Sequence, residues 1–166
     1  MKVVFVLPPY DYSRSVGSRR KRVQIGLLPP LGVGYLAATL EARGHTAALV
    51  DAVAEQLDPA EAAAAVAAQE PDVVGISAFT SLRPNDAYPI ARELKRLLPD
   101  VPIVMGGPHV TSFARSTLEA CPEVDVLIPG DAEGVLADWV DRVARGESYA
   151  ELPGLLYRDA SGAPVA

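Results

Sequence analysis

Three features of the sequence predict an α/β domain built on a doubly wound parallel sheet. Five short apolar runs alternate with five longer segments that carry helix signals, which implies βαβ units joined by right-handed crossovers. The runs are apolar throughout, as expected of strands covered on both faces. The third run, Pro71-Asp72-Val73-Val74-Gly75-Ile76-Ser77-Ala78-Phe79-Thr80-Ser81, passes abruptly from apolar to small and hydroxylated residues. In an open parallel sheet the carboxyl ends of the strands are where ligands bind. The expected architecture is a three-layer, Rossmann-like (flavodoxin-like) five-stranded parallel sheet of order 2-1-3-4-5, with helices on both faces.

Taken in order, Lys2–Leu7 is a short β-branched run and the first strand. Pro8–Pro30 is a long loop without periodicity, and loops of that length in a compact domain are usually functional. Pro30 suits a first helical position, Leu31–Arg43 is the first helix, and Gly44 is its C-cap. His45–Asp51 is the second strand. Asp58 caps a helix with Pro59 at its first position, running to about Gln69. Asp72–Ser77 is the third strand and Pro84–Leu98 the next helix, stopped by Pro99. Val101–Met105 is the fourth strand, closed by Gly106-Gly107-Pro108, and Ser112–Ala120 is a short helix. Val124–Pro129 is the fifth strand. Glu133–Arg145 is an amphipathic helix with Trp139 on its buried face and Gly146 behind it. In the remaining residues, Leu155–Arg158 and Asp159–Gly162 suit a strand and a turn. The expected division is a domain over 1–150 and an exit segment over 151–166.

Composition narrows the partners. With 166 residues and 49% hydrophobic content the chain can bury a real core and is not disordered. A net charge of −6 argues against nucleic acid. The single cysteine, Cys121, rules out an internal disulfide and any cysteine-only metal or iron–sulfur site within this chain. Met1–Leu7 is too short for a signal peptide, no run is long enough to span a membrane, and a cytoplasmic location is expected.

Familiar ligand signatures are absent. Gly32-Val33-Gly34 begins like a dinucleotide fingerprint, and Asp51 ends the second strand where a ribose-binding acid would sit. Yet the glycines should turn directly from the first strand into the first helix, and here a long loop intervenes. There is no Walker loop. A phosphoacceptor aspartate after the third strand is replaced by Ser77, and Pro8-Pro9 cannot cradle a phosphate because proline lacks an N–H. What is left is a ligand held by the ends of strands three, four and five.

The set Pro29-Pro30-Leu31-Gly32-Val33-Gly34-Tyr35-Leu36-Ala37, Pro71–Ser81, Gly106-Gly107-Pro108-His109 and Gly130-Asp131-Ala132-Glu133 resembles the N-terminal cobalamin (vitamin B12)-binding domain of the cobalamin-dependent radical SAM enzymes. Leu152–Arg158 is similar to the segment that leads from that domain into the radical SAM barrel. The resemblance covers nearly the whole chain. It implies base-off cobalamin, as methylcobalamin or hydroxocobalamin, with its nucleotide tail beside the third strand. It assigns cofactor binding to Ser77, Ala78, Phe79, Thr80 and Ser81, to Gly106, Gly107, Pro108 and His109, to Gly130, Asp131 and Glu133, and to Leu31 and Gly32. Asp131 and Ala132 depart from the family's usual Gly-Glu-Gly-Glu. The Asp-x-His-x-x-Gly motif that supplies a cobalt ligand in other cobalamin domains is missing, and Pro8–Pro30 holds no histidine, so no protein ligand to cobalt is expected. The Cys-x-x-x-Cys-x-x-Cys motif is missing too, so SAM and a 4Fe–4S cluster would belong to a downstream domain, which makes the chain either an excised domain or a stand-alone binder. The implied function is a methyl carrier between SAM and a substrate radical, in a methyltransferase or a related rearrangement or cyclase enzyme. The competing readings are a flavodoxin-like interaction or regulatory module without a corrin, and a nucleotide-binding domain.

Several residues carry two readings. His109 either touches the ligand or stabilises its loop, and Ser77 either lines the pocket or bonds its own backbone. Arg19-Arg20-Lys21-Arg22 is either a solvated run or a contact for another domain or an anionic substrate. His45 is expected to be structural and Cys121 an inert thiol.

Overall fold

Apolar runs of three to six residues form the centre of the molecule. In the computed structural model, residues 1–9, 29–79, 87–159 and 161–165 are described. Within them lie β1 (Lys2–Leu7), α1 (Leu31–Ala42), β2 (Thr46–Asp51), α2 (Pro59–Ala67), β3 (Val73–Ser77), α3 (Ala87–Leu97), β4 (Ile103–Gly106), α4 (Pro108–Ala120), β5 (Val126–Ile128), α5 (Glu133–Arg145), β6 (Leu156–Arg158) and β7 (Pro164–Val165). One sheet has the order β2-β1-β3-β4-β5-β6-β7. The first five strands are parallel and in the expected order 2-1-3-4-5. The sheet does not stop there: β6 runs antiparallel to β5, and β7 antiparallel to β6.

Strand side chains alternate between the two faces. Val4, Val6, Val74, Ile76, Ile103, Met105 and Leu127 face α2, α3 and α4 in one buried cluster. Val3, Phe5, Val73, Val104, Val126 and Ile128 face α1 and α5 in the other. The helices therefore divide two and three across the sheet, and the order of strands reverses at β1 and β3. Gly75 lies on the α1/α5 face because a Cβ there would sit 2.6 Å from the Phe5 ring.

Local signals place the helix ends. Asp58 accepts the Ala60 and Glu61 N–H groups while Glu61 returns a bond to the Asp58 N–H, a complete capping box. At the end of α1 the C-cap is Arg43, one residue before the glycine expected there. Gly44 takes the following left-handed position at φ +82°. Its N–H donates to Glu41 and that of His45 to Leu40, the paired bonds of a Schellman ending.

Candidate functional site at the carboxyl ends of the strands

The end of β3 and the start of α4 are locked together by backbone. The Ala78 N–H donates to Gly106 (2.8 Å), and the His109 N–H donates to Ala78 (3.1 Å). Gly107, between them, has φ +101°, and an added Cβ would stand 2.8 Å from the Ala78 carbonyl oxygen. Only glycine meets both conditions. It is also the N-cap of α4, which starts at Pro108, four residues before the expected Ser112. Phe113 breaks the regular helical geometry (φ −137°, ψ 33°), so the periodic part of α4 begins about where the sequence pattern placed the whole helix.

The sequence-derived candidates fall into distinct places. Ser77 and Gly106 are register partners on neighbouring strands. Their parity with Val73 and Val104 puts both on the α1/α5 face. On the same face, Gly32 continues the stripe of Leu36 and Leu40, which pack into that core, yet no described residue lies within 4 Å of a Cβ built on it. Glu133 likewise continues the stripe of Leu136, Ala137 and Val140 and is exposed at the first turn of α5. The α1 stripe and the two strands thus run out into small residues, and the α5 stripe into the exposed Glu133, at the same end of the same face. Ser77 and Gly106 thus mark the sheet side of a candidate notch, with Gly32 and Glu133 on its helix side.

Ala78, Gly107 and His109 lie on the other face, towards α3 and α4. His109 is 4% exposed. Its Nε2 is 3.1 Å from the Tyr88 hydroxyl and 3.0 Å from that of Thr117. Its Nδ1 is buried without a hydrogen-bond partner among the described residues. Burial holds its pKa below the usual histidine value, which favours the neutral ring. His109 is thus built into the contact of α3 with α4, and sequence reasoning missed the hydroxyls of Tyr88 and Thr117 that hold it. Pro108 and Asp131 are exposed at the rim, and Gly130 turns the loop after β5 at φ +81°. Thr80, Ser81 and the Arg19–Arg22 cluster lie outside the described residues.

The rim is apolar. Leu31 (71% exposed), Tyr35 (66%), Phe79 (69%) and Phe113 (47%) are large side chains facing outward, and all follow the carboxyl ends of β1, β3 or β4. Asp51 already accepts the N–H groups of Val53 and Ala54, so its carboxylate is engaged by its own turn. His45 sits at the opposite, amino end of the sheet, where its Nε2 meets Asp141 at 2.9 Å. Cys121 is buried and its thiol is pushed up to about 12, chiefly by burial, so it is an inert core residue. Trp139 is 1% exposed in the α5 core. No group of three or more His, Cys, Asp or Glu able to hold a metal ion occurs among the described residues, and no described helix is long and apolar enough to cross a membrane.

The fold defines a class: open α/β domains on a parallel sheet, in which ligands bind at the carboxyl ends of the strands. Residues 25–140 match the family model of the B12 binding domain. The chain belongs to the B12-binding domain family. It is 36% identical over 159 residues, 96% of its length, to the uncharacterized methyltransferase PH0819 of Pyrococcus horikoshii, of which it covers 33%. It is 31% identical over its full length to the anaerobic magnesium-protoporphyrin IX monomethyl ester cyclase of Rubrivivax gelatinosus, covering 29% of that protein. The chain spans about a third of the length of these curated relatives. Its fold superposes with a TM-score of 0.79, at 20% identity, on the radical S-adenosylmethionine methyltransferase TsrM of Kitasatospora setae with cobalamin and a [4Fe-4S] cluster bound, over 97% of this chain and 29% of that one.

Proposed function

We propose that this domain binds cobalamin base-off, with the nucleotide tail in the notch over Ser77 and Gly106 and the corrin against the apolar rim, and serves a radical SAM methyltransferase as its cofactor domain. The observation that carries this is the small-residue notch itself. A slender tail entering between the sheet and the α1/α5 layer needs strand ends and helix stripes without bulky side chains, which Ser77, Gly106 and Gly32 supply. Hydroxyl and backbone groups at the strand ends offer hydrogen bonds to the tail, and Leu31, Tyr35 and Phe79 offer apolar cover that excludes water from the ring.

The histidines favour a cobalt without a protein ligand. The chain has two. His45 is at the wrong end of the sheet, and the Nε2 of His109 is already faced by two hydroxyls. When bound, the cofactor supplies a metal centre that accepts and gives up a methyl group. The chain's own residues would hold the cofactor and orient it. In this reading the cluster cysteines and the SAM site belong to a neighbouring domain, since Cys121 is buried and protonated. The dinucleotide alternative loses its ribose-binding acid, because Asp51 is engaged by its own turn.

The test is a plug that leaves the fold intact. Gly32→Leu adds a side chain where no described residue lies within 4 Å, and it raises helix propensity by about 0.5–1 kcal/mol. Purified parent is mixed with hydroxocobalamin, desalted and read by its visible spectrum. Retained corrin is expected in the parent and loss of at least tenfold in affinity in Gly32→Leu, with the unfolding midpoint equal or higher. After reduction to the cobalt(II) state, electron paramagnetic resonance should lack nitrogen superhyperfine splitting. A parent that retains no corrin sinks the proposal. A nitrogen-split signal removes its base-off, His-off part.

A further inference from the structure

We infer that Thr111 is a positioning residue: its hydroxyl latches the loop after β5 to the start of α4 and so sets where the far wall of the notch stands. The β4–β5 ladder ends at the pair Gly106 and Ile128. Next on the β5 side is Pro129, which has no N–H to give. The first donor beyond it is Gly130, in a left-handed turn at φ +81° that no strand pairing supports. Its N–H donates to the Thr111 Oγ at 2.9 Å. The same hydroxyl donates to the Gly107 carbonyl oxygen at 3.1 Å. One side chain thereby joins the two glycine turns that end β4 and β5.

These turns lead to opposite faces of the sheet. From Gly107 the chain enters α4, which packs with α2 and α3. From Gly130 it crosses to α5, whose first residue, the exposed Glu133, heads the helix face that is buried from Leu136 onward. The two segments diverge at this point, and the latch replaces the ladder bond that proline cannot make. It fixes the path Gly130–Asp131–Ala132 and with it the position of Glu133. Thr111 acts through Gly130 and need not touch a ligand. Its side chain is exposed, so removing the hydroxyl leaves the core untouched.

This inference rests on the cobalamin reading for its consequence, but not for its geometry. Thr111→Val keeps the shape and deletes both bonds. Thr111→Ser keeps both bonds. Amide exchange of Gly130 by NMR is compared in the parent and the two variants, beside hydroxocobalamin affinity and the unfolding midpoint. Thr111→Val is expected to expose the Gly130 amide about tenfold and to weaken cobalamin binding about threefold to tenfold, the scale of one net hydrogen bond. The midpoint should hardly move, and Thr111→Ser should match the parent in all three. Unchanged Gly130 exchange in Thr111→Val overturns the latch. Raised exchange with unchanged affinity overturns its positioning role. A parent that binds no cobalamin overturns the cofactor reading instead, and the exchange comparison still decides the latch.

Discussion

His109 shows how one residue can satisfy a motif and still do something other than touch a ligand. It follows the glycine pair at a strand end, where a ligand contact is the natural guess, but the helix turns it inward against Tyr88 and Thr117. Phe113 packs at 5.6 Å between ring centroids. Burial lowers its pKa, so the sign of its pH effect is fixed. As pH falls through about 6.5, the unfolded chain takes up a proton that the folded chain resists, and stability falls with it. Unfolding midpoints measured from pH 7.5 to 5 should drop in the parent and drop less in His109→Gln. Asp159 acts in another window: the Ser161 hydroxyl and the N–H groups of Ala163 and Ser161 hold its carboxyl below the ordinary value, so its loss comes only at lower pH. Equal slopes for parent and variant would assign the effect elsewhere. Nothing in the sequence shows this role, because it depends on a tyrosine and a threonine brought together only by packing.

Among the elements, what was legible in the sequence depended on length and burial. β1 and β3 were readable because strands covered on both faces need unbroken apolar runs, α2 because of the Asp58 cap at its start, and α5 because of its amphipathic pattern and Gly146 at its end. The start of α4 was misplaced because Gly106-Gly107-Pro108 looks like a stop, whereas a left-handed glycine followed by proline here begins a helix. The pairing of β6 was not legible, since three residues carry no periodicity. One side chain ties it to the loop before β5 as well as to the end of α4. The Arg158 guanidinium donates to the carbonyl oxygens of Val124 (2.8 Å) and Cys121 (3.1 Å), and also to that of Leu118, at the end of α4 and in the turn after it. A cation at a helix C-terminus is favoured, and these carbonyls have no helical partner. Arg158→Met keeps the aliphatic stem and removes the bonds. It should cost about 1.5–3 kcal/mol in urea unfolding and speed amide exchange in β6 and β7 ahead of the parallel strands. Uniform exchange across the sheet would argue against Arg158 as the anchor.

For the molecule as a whole, the parallel order follows from the five βα alternations, whereas the antiparallel pairing of β6 and β7 beyond β5 does not. The sequence suggested a domain over 1–150 with 151–166 leading away from it. The structure gives those last residues a place in the sheet and in the core. Leu155 is 2% exposed in the α1/α5 cluster. Trp139, Tyr149 and Tyr157 stack edge to face in series, at centroid distances of 6.2 Å and 5.3 Å. Without β6, the three residues of β5 would become an open edge and Tyr149 would lose its Tyr157 contact, a surface prone to pairing with another chain. We therefore expect truncation after residue 150 to cost at least about 3 kcal/mol: about 2 kcal/mol for uncovering Leu155, and more for Tyr157 and the Arg158 bonds. The loss should exceed that of Arg158→Met alone, because the truncation also removes the aromatic contact. Urea denaturation of the two variants beside the parent orders these losses, and sedimentation detects self-association of the truncated form. If residues 1–150 unfold at the parent's midpoint and stay monomeric, the hairpin is an appendage and the domain ends where the sequence placed it.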